Sequence, residues 1–175
     1  MKPNNAEREF LIKSLRGYDD LSRLDTERHR AYLDECRNHA REIAYGFMVK
    51  GYKRGDRVLS VVADRNTTIP ILLGCELSHI EMVELSREAL KERVHTTLER
   101  GALRAVFVSD ELDYEYVKEV CNKSGVMIDL FLVPDSDSVC DLRYLRMIGK
   151  SWEIKYKPFV DRAFRQLELT SLTLL

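Results

Sequence analysis

The sequence predicts an α/β fold: a doubly wound, small parallel sheet of about four strands flanked by helices, with helical segments at both ends of the chain. Three observations carry this. Short β-branched runs alternate with helical stretches of about ten to fifteen residues, the pattern of βαβ crossovers. The runs are apolar on both faces, as strands buried between two helix layers must be. Glycines and capping residues fall at the junctions between the two patterns.

The elements follow in order. Ala6 to Arg16 is a short helix candidate broken at Gly17. Leu33, Cys36, Ala40, Ile43, Ala44 and Phe47 then fall at helical spacing and form one apolar face, with Glu35, Arg37, Asn38, Arg41 and Glu42 opposite. Gly51 ends that helix, since glycine tolerates the left-handed backbone. After the turn Lys53-Arg54-Gly55-Asp56, Arg57 to Ala63 reads as the first strand. A helix from about Thr68 to Leu77, a strand from Ile80 to Leu85, and a helix from Arg87 to Arg100 stopped by Gly101 come next. A strand from Ala105 to Val108, a helix from Leu112 to Lys123 stopped by Gly125, and a strand from Met127 to Val133 complete the layer. Asn66 or Thr67, Ser86, and Ser109 or Asp110 are placed to cap three of these helices. Leu142 to Trp152 and Phe159 to Leu167 read as two more helices separated by Lys157-Pro158. The expected organisation is a helical segment over 1–25, the α/β domain over 26–135, and a helical extension over 136–175 packing on that domain.

The chain has 175 residues, 45% of them hydrophobic and 33% charged, which suits a folded domain with a real core. Its 28 basic and 29 acidic residues are interspersed without a basic block, which disfavours nucleic acid as a partner. No apolar run reaches the roughly twenty residues of a membrane span, and Met1 to Arg8 is too polar for a secretory signal, so a cytoplasmic protein without membrane association is expected. Cys36, Cys75, Cys121 and Cys140 match no zinc spacing, and the first three stand among apolar neighbours as core thiols.

One stretch carries a family resemblance. Tyr32-Leu33-Asp34-Glu35 opens a helix, Gly51-Tyr52-Lys53-Arg54-Gly55-Asp56-Arg57-Val58 supplies a turn into a strand, and Ile80 to Ser86 closes a second strand. Later, Leu98-Glu99-Arg100-Gly101-Ala102-Leu103-Arg104-Ala105-Val106-Phe107-Val108-Ser109-Asp110 gives a helix end, a linker and a strand closing on Ser-Asp. This ordered series resembles the N-terminal subdomain of the ANL superfamily of adenylate-forming enzymes, which includes acyl-CoA synthetases and peptide-synthetase adenylation domains. It covers about Thr26 to Asp135. G-D-R-V alone is a weak signal; the series is more specific.

The departures from that family matter as much. Its members hold ATP phosphates on a Gly/Ser/Thr-rich loop of the form [ST]-[SG]-G-[ST]-T-G-x-P-K-G. Lys123-Ser124-Gly125 and Thr170-Ser171-Leu172-Thr173 are too short to serve. The family's Y-x-x-T-E motif, ribose-binding aspartate and late catalytic lysine have no counterpart. The resemblance therefore implies a layer truncated before the ATP-binding motifs, with no catalytic residue, metal or cofactor assigned, and leans away from an enzyme.

With a strand order of second–first–third–fourth, the switch-point crevice lies beyond the carboxyl ends of the first and third strands. Its rim would be Asp64, Arg65, Asn66, Thr67, Ser109, Asp110 and Glu111. These residues suit either a small polar ligand or helix capping with solvated charge, and capping is the reading favoured. His29, His39, His79 and His95 show no metal-site spacing. Tyr144, Trp152, Tyr156 and Phe159 suit either an interface or packing of the last helices.

The functional expectation is a non-catalytic protein-interaction or regulatory module, working as a homodimer or with another protein chain. The alternatives are one half of a split acyl- or aminoacyl-adenylating enzyme, or a sensor of a small nucleotide or acyl ligand.

Overall fold

The structure, a computed structural model, describes residues 26–99, 103–133 and 141–172. The expected N-terminal helix over Ala6 to Arg16 and the thiol of Cys140 lie outside the described residues. Helix α1 spans Thr26–Val49, followed by β1 Arg57–Val61, α2 Arg65–Leu77, β2 Glu81–Glu84 and α3 Arg87–Glu99. Then come β3 Leu103–Val108, α4 Glu111–Ser124, β4 Asp129–Leu132, α5 Asp141–Ser151 and α6 Glu153–Leu172. The four strands form one sheet in the order β2-β1-β3-β4, and every pairing is parallel.

Strand alternation divides the core. Val58, Ala105, Phe107 and Phe131 face α1, α2 and α5, where they meet Ile43, Phe47, Ile71, Cys75 and Leu145. Leu59, Val61, Val106 and Val108 face α3 and α4, where they meet Leu90, Val94, Leu98, Val117 and Val120. Both faces are therefore covered, as runs apolar on both sides require. Phe107 pairs with Phe131 in register, and their rings stack at 4.8 Å between centroids. A third cluster lies outside the first: Ala40, Ala44 and Tyr45 of α1 and Leu73 and Leu77 of α2 receive Val160, Ala163 and Phe164 of α6.

Helix α1 can approach α5 closely because glycines face each other. A Cβ placed on Gly149 would lie 2.6 Å from the backbone nitrogen of Gly46 and would overlap the carbonyl oxygen of Glu42. The Glu42 carboxylate then accepts from Arg146 Nε at 2.8 Å, fixing the rotation of one helix against the other.

Three helices end in the same way. At α1, Tyr52 N–H bonds Phe47 O and Gly51 N–H bonds Met48 O, with Gly51 at φ 76. At α4, Val126 N–H bonds Cys121 O and Gly125 N–H bonds Asn122 O, with Gly125 at φ 65. At α2, Ile80 N–H bonds Cys75 O and His79 N–H bonds Glu76 O, with His79 at φ 57. Each is the paired-bond cap in which a left-handed residue satisfies the last carbonyls. Gly51 and Gly125 stop their helices as the sequence indicates, whereas His79 takes the same backbone with a side chain attached.

Two expectations are corrected. Helix α2 begins at Arg65, three residues before Thr68, because Asp64 rather than Asn66 or Thr67 is its cap. Pro158 does not separate two helices; it lies inside α6. Its missing N–H leaves only the carbonyl of Ile154 without a helical partner, and Ile154 and Pro158 are both exposed, so water can take that place. The break falls instead at Trp152, whose N–H bonds Gly149 O and whose carbonyl receives Lys155 and Tyr156.

Candidate functional site

The strand order puts a switch point between β1 and β3, so α2 and α4 leave their strands toward opposite faces of the sheet. Asp64 and Asp110 follow the carboxyl ends of these two adjacent strands. Each carboxylate is turned onto its own helix. Asp64 Oδ2 accepts from Thr67 N at 2.9 Å and from Thr67 Oγ1 at 2.7 Å. Asp110 Oδ1 accepts from Leu112 N at 2.7 Å and from Asp113 N at 3.3 Å, with an extended backbone at φ −122. Ser109 is half-buried beside it, and Glu111 is exposed in the first turn of α4, where its charge favours the helix dipole. Arg65 and Asn66 open α2, and their side chains lie outside the described residues.

The consequence is electrostatic. Helix N-termini bind anions by presenting backbone N–H groups. Here those of Thr67, Leu112 and Asp113 are already occupied by Asp64 and Asp110. A phosphate at this rim would also meet Asp64, Asp110 and Glu111. Arg87, at the start of α3, is spoken for: its Nε lies 2.9 Å from Asp113 Oδ1, and a terminal nitrogen lies 3.1 Å from Asp110 Oδ1. These contacts hold the Arg87 guanidinium even more firmly charged than usual, first through the Asp113 hydrogen bond. Nothing in the sequence signals that pair, because its members stand 26 residues apart on different helices.

A second polar cluster sits at the opposite ends of the strands. Tyr52 O–H donates to Asp129 Oδ2 at 2.7 Å, and Lys50 Nζ lies 3.0 Å from Asp129 Oδ1. Burial, then the bond to Asp129, pushes the Tyr52 hydroxyl pKa well above its ordinary value. The cluster joins the end of α1 and the turn after it to β4.

The three described cysteines, Cys36, Cys75 and Cys121, are thiols, not disulfide-bonded. Cys36 and Cys75 are buried and Cys121 is half-buried. Burial pushes the thiols of Cys75 and Cys121 up, away from the thiolate a nucleophile needs. Among the described residues no three His, Cys, Asp or Glu side chains are grouped to hold a metal. His79 and His95 are exposed, and His39 pairs with Glu35 at 3.7 Å.

The C-terminal aromatics divide. Tyr156 is half-buried and packs against the cluster of Val160 and Phe164. Tyr144, Trp152 and Phe159 remain 56%, 49% and 62% exposed. Met147 and Ile154, which the aromatic pattern did not single out, are exposed with them, Ile154 at 95%. Met147 stands one helical turn beyond Tyr144, so a helical projection could have found it. Lys155 Nζ lies 5.1 Å from the Trp152 ring centroid and 5.0 Å from that of Tyr156. No helix among the described residues is long and apolar enough to cross a membrane.

No protein-family model matches the sequence, and no curated protein matches it. Solved structures do match in fold. The complex of VinN with 3-methylaspartate is similar over 67% of this chain and 31% of its own, with TM-score 0.53 and 18% identity. Apo MatB from Rhodopseudomonas palustris is similar over 79% of this chain and 28% of its own, with TM-score 0.56 and 13% identity. A benzoate CoA ligase from Burkholderia xenovorans LB400 is similar over 66% and 22%, with TM-score 0.50 and 16% identity. The chain thus spans less than a third of the length of these structures. All three are adenylate-forming enzymes of the ANL superfamily, and at these identities the likeness is one of fold: this chain shares an α/β layer with them.

Proposed function

We propose that this chain is a non-catalytic protein-interaction module built on the layer it shares with adenylate-forming enzymes. The observation that carries the reading is the set of large side chains, Tyr144, Trp152 and Phe159, left in solvent along α5 and α6. Contiguous exposed apolar surface on a soluble protein marks a contact surface, and tyrosine and tryptophan suit one because they bury area while keeping a polar end. The switch-point crevice supports the same reading from the other side. Its capping N–H groups and its arginine are engaged by the chain's own carboxylates, which disfavours a nucleotide there.

Light scattering after size exclusion tests the homodimer, and co-purification from the native source tests a different partner. In either case Trp152→Ser with Phe159→Ser is expected to abolish the complex. Pyrophosphate exchange into ATP by the isolated chain would overturn the non-catalytic reading. Exchange that appears only on adding a second polypeptide bearing the Gly/Ser/Thr-rich loop would favour half of a split enzyme.

A further inference from the structure

We infer that the outer face of α5 and α6 docks an acidic amphipathic segment of a partner protein; the inference rests on the interaction-module reading and names its partner by chemistry. The whole chain is nearly neutral, with 28 basic and 29 acidic residues. Helices α5 and α6 are not: together they hold seven basic residues and four acidic ones, Asp141, Glu153, Asp161 and Glu168. Two of the acids are engaged within the chain, Asp161 facing Arg41 at 3.8 Å and Glu153 facing Lys157 at 3.8 Å, and one of the bases, Arg146, is engaged by Glu42 at 2.8 Å. Arg143, Lys150, Lys155, Lys157, Arg162 and Arg165 are all exposed.

The apolar groups lie among these charges. Along α6, Val160, Ala163 and Phe164 are buried against α1 and α2. The opposite side carries a shallow open groove lined by Ile154, Lys157, Pro158, Asp161, Arg162 and Arg165. Phe159 and Trp152 are exposed on the same segment, and Met147 and Tyr144 are exposed on α5. A partner that fits must bring apolar side chains for Ile154 and Pro158 and negative charge for Lys157, Arg162 and Arg165 beside them. An amphipathic helix with an acidic flank does both.

Single-stranded nucleic acid is the rival, since basic and aromatic residues are interleaved. It is disfavoured by Lys155, whose ammonium lies over both the Trp152 and Tyr156 rings and occupies faces on which bases would stack. The strongly exposed Ile154 and Met147 offer bases nothing to stack on, yet suit leucine or phenylalanine from a helix.

Trp152 is the chain's only tryptophan, so its emission reports this surface directly. The full chain is titrated with a synthetic amphipathic peptide of about twenty residues bearing leucines on one face and glutamates on the other. Parallel titrations use the same peptide with lysine for glutamate, a single-stranded oligonucleotide, and vesicles of phosphatidylserine and phosphatidylcholine. The expected result is a saturable blue shift with the acidic peptide alone, weakened by salt. Lys155→Glu with Arg162→Glu is expected to weaken it roughly tenfold or more, while Lys118→Glu with Lys123→Glu on α4 leaves it unchanged. Thermal melting checks that both variants fold. Equal binding of the two peptides, tighter binding of the oligonucleotide or the vesicles, or no response would overturn the acidic partner. Self-association seen by light scattering without any response to the acidic peptide would do so too, while leaving the interaction-module reading standing.

Discussion

Arg87 Nε stands 2.9 Å from Asp113 Oδ1, and the two residues tie the start of α3 to the start of α4. The partners are unequal. The Asp113 side chain is 6% exposed and that of Arg87 45%. Removing the arginine strands a carboxylate in the interior, whereas removing the aspartate leaves a guanidinium that water can reach. Arg87→Met is therefore expected to lower the melting temperature by several degrees, and Asp113→Leu by less. The double variant should melt above Arg87→Met. Thermal denaturation of the three variants measures this; simple additivity would refute the coupling.

The left-handed cap at His79 gives a prediction of opposite sign. Its side chain is exposed, so little packing is lost on shortening it. Its backbone, at φ 57, is strained for a residue with a Cβ. His79→Gly is expected to stabilise the fold by about 1 kcal/mol. Gly125→Ala, where the space is open but φ is 65, is expected to cost about as much. Urea denaturation of both variants reads the two signs.

Gly149 poses a different constraint. Here the obstacle is the backbone of α1 at Glu42 and Gly46, which no side-chain rotation relieves. Gly149→Ala is expected to destabilise by about 3 kcal/mol or more by forcing α5 off α1. A chain with unchanged stability would mean that the two helices are not in contact in solution.

Tyr45 links the packing of α6 to pH. Burial, with help from Glu153 and Asp161, raises its hydroxyl from about 10 to about 12. Between those values the unfolded chain loses this proton and the folded chain keeps it, so stability falls as pH rises through that window. Below pH 10 the contribution is fully present. Tyr45→Phe should flatten the decline between pH 10 and 12, measured by denaturation at several pH values. Tyr52, raised further, is expected to ionise only on unfolding.

The sheet was legible in the sequence because each strand is apolar on both faces, a pattern that only two covering layers satisfy. Ser86 was legible as a cap because it is an oxygen-bearing residue directly before an apolar-periodic run, and Asp110 was legible only as one of two candidates with Ser109. Asp64 was not distinguishable from its neighbours, since Asn66 and Thr67 are equally good capping types two and three residues on. Pro158 misled because helix breaking depends on whether the freed carbonyl can reach water, which burial decides and sequence does not show. At the candidate sites the rim residues could be named, but not their engagement. That Asp110 is shared between a helix end and Arg87 depends on how α3 lies against α4. The C-terminal aromatics could be named as a group, while their division into packed Tyr156 and exposed Trp152 depends on the rotation of α6.

The bond between Glu42 and Arg146 joins residues 104 positions apart. The pairings within the sheet bring together neighbouring βαβ units, whose loops are far shorter and cheaper to close. As the chain leaves the ribosome, the layer from β1 to β4 can assemble on α1 while α5 and α6 are still missing. The faces of α1 and α2 that Leu145, Val160 and Phe164 cover then stay wet until α5 and α6 emerge. Slow emergence of α5 and α6 would hold that apolar surface open to chaperones, so the hazard of sticking is set by when these two helices arrive.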